Sequence, residues 1–135
     1  MRVLITGDRY WFKPTMAGRI LKRLVARYGA GLVIVEGGAS GVDEAFRLAC
    51  RGMGIACETH EARWDELGRR AGPVRNAAMV AAGAGLCLVF HPFLPRSKGS
   101  RDCAIQAIEA GIPTWLIDRE DGEPRRLRAG DPRLG

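Results

Sequence analysis

Short apolar runs alternate with stretches of helical periodicity from one end of the chain to the other. Five runs read as strands: residues 2–6 (Arg2-Val3-Leu4-Ile5-Thr6), 32–36, 55–60, 86–90 and 114–117. Between them, apolar positions recurring every three or four residues predict helices over 14–28, over 41–51, from Gly72-Pro73 to just before Gly83, and from the end of a polar loop at 91–100 to Ala110. The breaks agree with this reading. Pro14 suits a first helical turn, Gly29 and Gly31 end the first helix, Gly52 to Gly54 end the second, and Gly111-Ile112-Pro113 ends the last. Residues 61–65 are less regular, with room for a helical turn, and 119–135, with few apolar residues and two prolines, read as a loose tail behind a single domain at 1–118.

Strands separated by helices require crossover connections, hence a parallel sheet covered on both faces. The expected fold is therefore α/β, a three-layer domain with an open parallel sheet of about five strands. Ligands of such sheets sit beyond the carboxyl ends of the strands, where the strand order reverses. That rule directs attention to the turns after strands one, two and four and to the start of the third helix.

Those turns carry polar chemistry. After strand one come Gly7, Asp8 and Arg9, and after strand two comes Gly37-Gly38-Ala39-Ser40-Gly41-Val42-Asp43. Gly37 and Gly38 would let a ligand approach the main chain without meeting a Cβ. Ser40 and Asp43 also fit an S-x-x-D capping box on the second helix, a purely local role. Arg75 and Asn76 lie near the start of the third helix, where Arg75 could face the crevice or pair with Asp65 or Glu66. In Arg96-Ser97-Lys98-Gly99-Ser100-Arg101 a glycine turn opens a helix among three bases. Free amides, the helix dipole and cations converge there, so Lys98, Gly99 and Ser100 are the candidate phosphate cradle. Asp43 and Glu44, in the first turn of the second helix, would repel an anion and suit ribose hydroxyls or a base amine instead.

Two familiar signatures are absent. Gly7-Asp8-Arg9 is not G-x-G-x-x-G, and no G-x-x-x-x-G-K-[ST] occurs. His60 and His91 have no partner at metal spacing, so neither a metal nor a cofactor is expected. Cys50, Cys57, Cys87 and Cys103 form no C-x-x-C pair and read as free, buried thiols. Trp11 and Trp64 could stack on a base or pack at the rim, and Trp115 reads as core. No charged-then-apolar leader opens the chain, which sets the expectation of a cytoplasmic protein with no membrane contact.

The net charge of +6 changes the picture only through its location. Residues 1–31 hold seven bases and one acid, residues 32–118 nine and ten, and the last seventeen five and four. The excess falls on the first turn and on a helix-one stripe of Arg19, Lys22, Arg23 and Arg27, which is either a solvated face or a contact for a phosphate backbone.

Several stretches, in order, resemble the YspA/YpsA-related branch of the SLOG superfamily. They are Gly37–Asp43, then Ala62-Arg63-Trp64, then Ala71-Gly72-Pro73-Val74-Arg75-Asn76-Ala77-Ala78-Met79, then Lys98-Gly99-Ser100-Arg101-Asp102, and Gly111-Ile112-Pro113. The resemblance spans about residues 2–118. It implies a Rossmann-like fold, a nucleotide-like small molecule as ligand, and a homodimer, since relatives are commonly dimers. Lonely Guy-type phosphoribohydrolases, distant relatives, carry a PGGxGTxxE loop and an upstream Arg with a Met four residues later. Arg75 and Met79 match that Arg and Met, Gly99-Ser100 match the Gly-Thr, and Cys103 stands at the catalytic Glu. Cleavage of a nucleotide N-glycosidic bond is thus a second reading. Its catalytic candidates are Arg75 and Asp43, with Asp8 or Asp102 as other sources of a carboxylate. DNA-processing protein A, a further relative, has a GxxxGID-like stretch similar to Gly37–Asp43, which implies a third reading, single-stranded nucleic acid bound on the helix-one stripe.

Overall fold

Val3, Leu4 and Ile5 have no exposed surface, and a strand apolar on both faces belongs in the middle of a covered sheet. The computed structural model, which describes all of residues 1–135, places β1 (Arg2–Gly7) there. It is joined by β2 (Val33–Glu36), β3 (Ala56–Thr59), β4 (Leu86–Phe90), β5 (Thr114–Ile117) and β6 (Arg125–Leu127). The order across the sheet is β3-β2-β1-β4-β5-β6, all neighbours parallel except β6, which runs antiparallel to β5.

Side chains alternate along each strand and so sort into two cores. Val3, Ile5, Leu88 and Phe90 pack under α1 (Pro14–Tyr28) and α2 (Val42–Met53). Leu4, Cys87 and Val89 pack under α4 (Ala71–Ala82) and α5 (Lys98–Glu109). Phe46 of α2 meets Phe90 with ring centroids 5.1 Å apart, a tilted contact that anchors the first layer. All four cysteines are free, three of them buried and Cys57 partly so. No helix is long and apolar enough to cross a membrane.

Three expectations need correction, and one is met. The second helix continues through Gly52 and Met53 and stops at Gly54, whose left-handed φ of 68° ends it. The less regular stretch after β3 does hold a helical turn, the short helix α3 (Trp64–Leu67), followed by a 3-10 turn at Gly68–Arg70 that runs directly into α4 at Ala71. The supposed loose tail supplies β6, with Leu127 and Leu134 both buried in the second core. Trp115, expected in the core, is half-buried, with the Arg126 guanidinium 5.4 Å above its ring.

The strand order reverses between β1 and β4: the chain leaves β1 towards β2 on one side and returns through β4 on the other. Gly7 and Phe90 are register partners at the carboxyl ends of those strands. A Cβ on Gly7 would collide with the Phe90 carbonyl and the Val42 side chain, so glycine lets α2 start tight against the sheet.

Candidate ligand-binding crevice

The loop between β2 and α2 is shaped by carboxylates reaching back into it. Gly37 and Ala39 donate their amides to Asp43 Oδ2 at 3.1 and 3.3 Å, and Gly38 donates to Glu36 Oε1 at 2.7 Å. The capping box does not form. Gly41 is the N-cap, Asp43 braces the loop, and the Ser40 hydroxyl donates to the Arg9 carbonyl at 3.1 Å. Val42 donates its amide to the Asp8 carbonyl at 3.1 Å, so the turns after β1 and β2 are fastened to each other. A Cβ on Gly41 would strike the Asp8 and Arg9 backbone, and its φ of 74° suits glycine.

Glu36 is completely buried and stays paired: Arg47 donates to it at 2.8 Å and the Thr59 hydroxyl also donates. Asp43 is only 5% exposed, and its Oδ1 has no hydrogen-bond partner. Burial, and next the nearby Glu36 charge, push its pKa up to about 7, against the opposing pull of the Gly37 and Ala39 amides and of Arg75. Near neutrality Asp43 is therefore protonated in a large share of molecules.

Arg75 is held from two sides. Its Nε donates to Asn76 Oδ1 at 2.8 Å and its Nη1 donates to the Gly37 carbonyl. Asn76 in turn donates to Asp102 Oδ2 at 2.9 Å and to the Gly99 carbonyl at 3.3 Å. The alternative pairing with Asp65 or Glu66 is not made; Glu66 lies 3.6 Å from Arg63. At the start of α5, the Ser97 hydroxyl accepts from the Ser100 amide at 3.0 Å, and the Lys98 and Gly99 amides precede the first intrahelical bond.

A cavity of about 570 Å³ opens at this point. Gly7, Asp8, Arg9, Asp43, Arg75, Lys98, Gly99 and Ser100 all line it. Gly37, Gly38 and Ser40 line an adjoining hollow of about 320 Å³ together with Glu61 and Trp64, and Arg9 and Arg75 border both spaces. Of the candidate ligand contacts, Asn76 lies elsewhere, buried behind Arg75 as its tether. Cys103 is fully buried in the second core, outside the cavity, and Asp102 is occupied by Asn76 and Gln106. The α1 stripe is also outside: Arg19 reaches Glu120 and Asp121 at 3.6 and 3.5 Å, and Arg27 lies over Tyr28.

The sequence reading missed Glu36 and, among the residues lining the cavity, Tyr10, His91 and Phe93. The available signal was position, since each follows or ends a buried strand on the crevice side. Phe93 donates its amide to His91 Nδ1 at 3.0 Å, which leaves the neutral ring's proton on Nε2. Burial lowers the His91 pKa and Asp8 partly opposes that, so the neutral form is favoured.

Comparison with known proteins agrees with this architecture. A sequence model of the YAcAr family, described as the YspA, cpYpsA-related SLOG family, matches residues 1–66, the stretch that carries the glycine loop. The gene 61 protein of Mycobacterium phage D29 is 43% identical over 117 residues, covering 83% of this chain and 92% of the phage protein.

Proposed function

The chain belongs to the YspA, cpYpsA-related SLOG family, and from that premise we propose that it is a binding module for a nucleotide or nucleotide-derived small molecule. The ligand's phosphate lies on Lys98, Gly99, Ser100 and Arg75, and its sugar lies toward Gly38, Asp43 and Asp8. The supporting observation is that Arg75 and the first turn of α5, distant along the chain, border one cavity and are linked through Asn76. Unbonded helix amides, a helix dipole and a guanidinium together favour an anion. Asp43, partly protonated near neutrality, opposes that anion less than a fully charged carboxylate would. Its Oδ1 lacks a partner, and leaving a buried polar atom unpaired costs roughly 1–3 kcal/mol. A ribose hydroxyl can donate to that oxygen or accept from it, whichever protonation state is present.

A second reading, cleavage of the N-glycosidic bond, is favoured by one observation. A carboxyl titrating near neutrality suits acid–base work, and Asp43 lines the cavity that Cys103 does not.

A thermal-shift panel of nucleoside mono- and diphosphates tests the first reading, because a ligand that binds only the folded state raises its apparent stability. Saturable stabilisation by wild type is expected, and Gly99→Leu should remove it. A Cβ at Gly99, one of the cavity-lining residues, meets nothing within 4 Å, so the fold accepts the longer side chain there. If no nucleotide stabilises wild type, or if Gly99→Leu responds equally, the phosphate assignment fails. Assaying free base in the same mixtures decides the second reading: no release, or release undiminished in Asp43→Asn, removes it.

A further inference from the structure

Two loops wall the cavity, and each carries an aromatic ring left in solvent: Tyr10 after β1, 87% exposed, and Phe93 after β4, 54% exposed. Neither ring contributes to the two cores. Their backbones are nonetheless fixed. The Tyr10 amide donates to Asp8 Oδ1 at 2.9 Å, and the Asp8 amide to the Phe90 carbonyl at 2.9 Å. The Phe93 amide donates to His91 Nδ1, and the Arg96 guanidinium sits 5.3 Å from the Phe93 ring centroid. Rings on hydrogen-bonded turns, lining a cavity and packed into neither core, offer a flat apolar surface at small entropic cost, with Arg96 against the Phe93 ring as its one cationic neighbour. Trp64 is the competing platform. It borders the smaller hollow, and its ring lies close over Gly72 of α4, where a Cβ would come within 3.3 Å of it.

We propose that Tyr10 and Phe93 hold the nucleobase of the ligand at the mouth of the crevice, with His91 Nε2–H as a donor to it. The ligand class is then a base-bearing nucleotide, as opposed to a sugar phosphate. The inference rests on the phosphate reading of the same cavity, which supplies the other end of the molecule. Stacking on aromatic faces is tolerant of base identity, so these two rings select for the presence of a base.

Isothermal titration of ribose 5-phosphate and of AMP into wild type, Tyr10→Ala, Phe93→Ala and Trp64→Ala separates the two ideas. AMP should bind wild type on the order of 10-fold to 100-fold tighter than ribose 5-phosphate, the range expected for base stacking. Tyr10→Ala and Phe93→Ala truncate exposed side chains, so both fold, and each should weaken AMP about tenfold with ribose 5-phosphate unchanged. The proposal is overturned if the two ligands bind wild type equally, if the two variants weaken both ligands alike, or if Trp64→Ala alone shows the AMP-selective loss. Ribose 5-phosphate binding in the first of these cases leaves the phosphate reading standing. Failure of both ligands to bind wild type overturns that reading and this one with it.

Discussion

The Asp43 carboxyl sits between two amides that favour its charge and a buried setting that opposes it, and burial wins. Its folded pKa of about 7 lies above the ordinary 3.8, so between those pH values the folded state binds the extra proton and stability declines as pH rises. Above neutrality the full cost, up to about 4 kcal/mol, is present. Asp43→Asn keeps an acceptor for the Gly37 and Ala39 amides and removes the charge. Urea unfolding from pH 4 to pH 8 should show the wild-type decline flattened in this variant, with the variant the more stable of the two at pH 8; identical slopes would refute the assignment. Asp43 was legible in the sequence as a polar residue at a crevice turn. Its ionisation was not, because that depends on Glu36 and on depth of burial. Asn76 shows the opposite gap: its neighbour Arg75 made it a plausible contact, whereas its amide tethers that arginine to α5.

At the level of elements, β6 shows where pattern reading runs out. Arg125-Arg126-Leu127 offers a single apolar residue, too little periodicity to announce a strand. What makes it one is the free edge of β5, together with a pocket in the second core for Leu127, which is 1% exposed. Leu127→Ala should cost about 2–4 kcal/mol, read as a lower urea midpoint with an unchanged m-value, if this strand is part of the cooperative unit. A midpoint within error of wild type would mean that the segment does contribute nothing to the core. The same contrast explains α2: Gly52 weakens a helix by about 1 kcal/mol, yet the buried stripe of Val42, Ala45, Phe46 and Cys50 carries the helix past it to Gly54.

For the molecule as a whole, charge and function occupy different places. The excess of basic residues lies at the chain's start and on α1, whereas three of the four cavity cations, Arg75, Arg96 and Lys98, come from the stretch where bases and acids nearly balance. Only Arg9 belongs to both sets. Neutralising the stripe with Arg19→Gln and Arg23→Gln should therefore leave nucleotide affinity within about twofold of wild type at physiological salt, where screening mutes distant charges. A large loss of affinity in that double variant would place the ligand near α1 and away from the crevice. The sequence by itself determined the succession of strands and helices, the parallel sheet and the end of it where a crevice must open, because hydrophobic period and glycine punctuation are properties of neighbouring residues. Only the tertiary structure decided that Asp43, Arg75 and Lys98–Ser100 share one cavity, that Asn76 stands behind them, that Asp43 keeps its proton to a higher pH than an exposed carboxyl, and that the last residues close the sheet as β6. Each of those facts is a distance or a depth set by segments far apart in the chain, which local pattern does not encode.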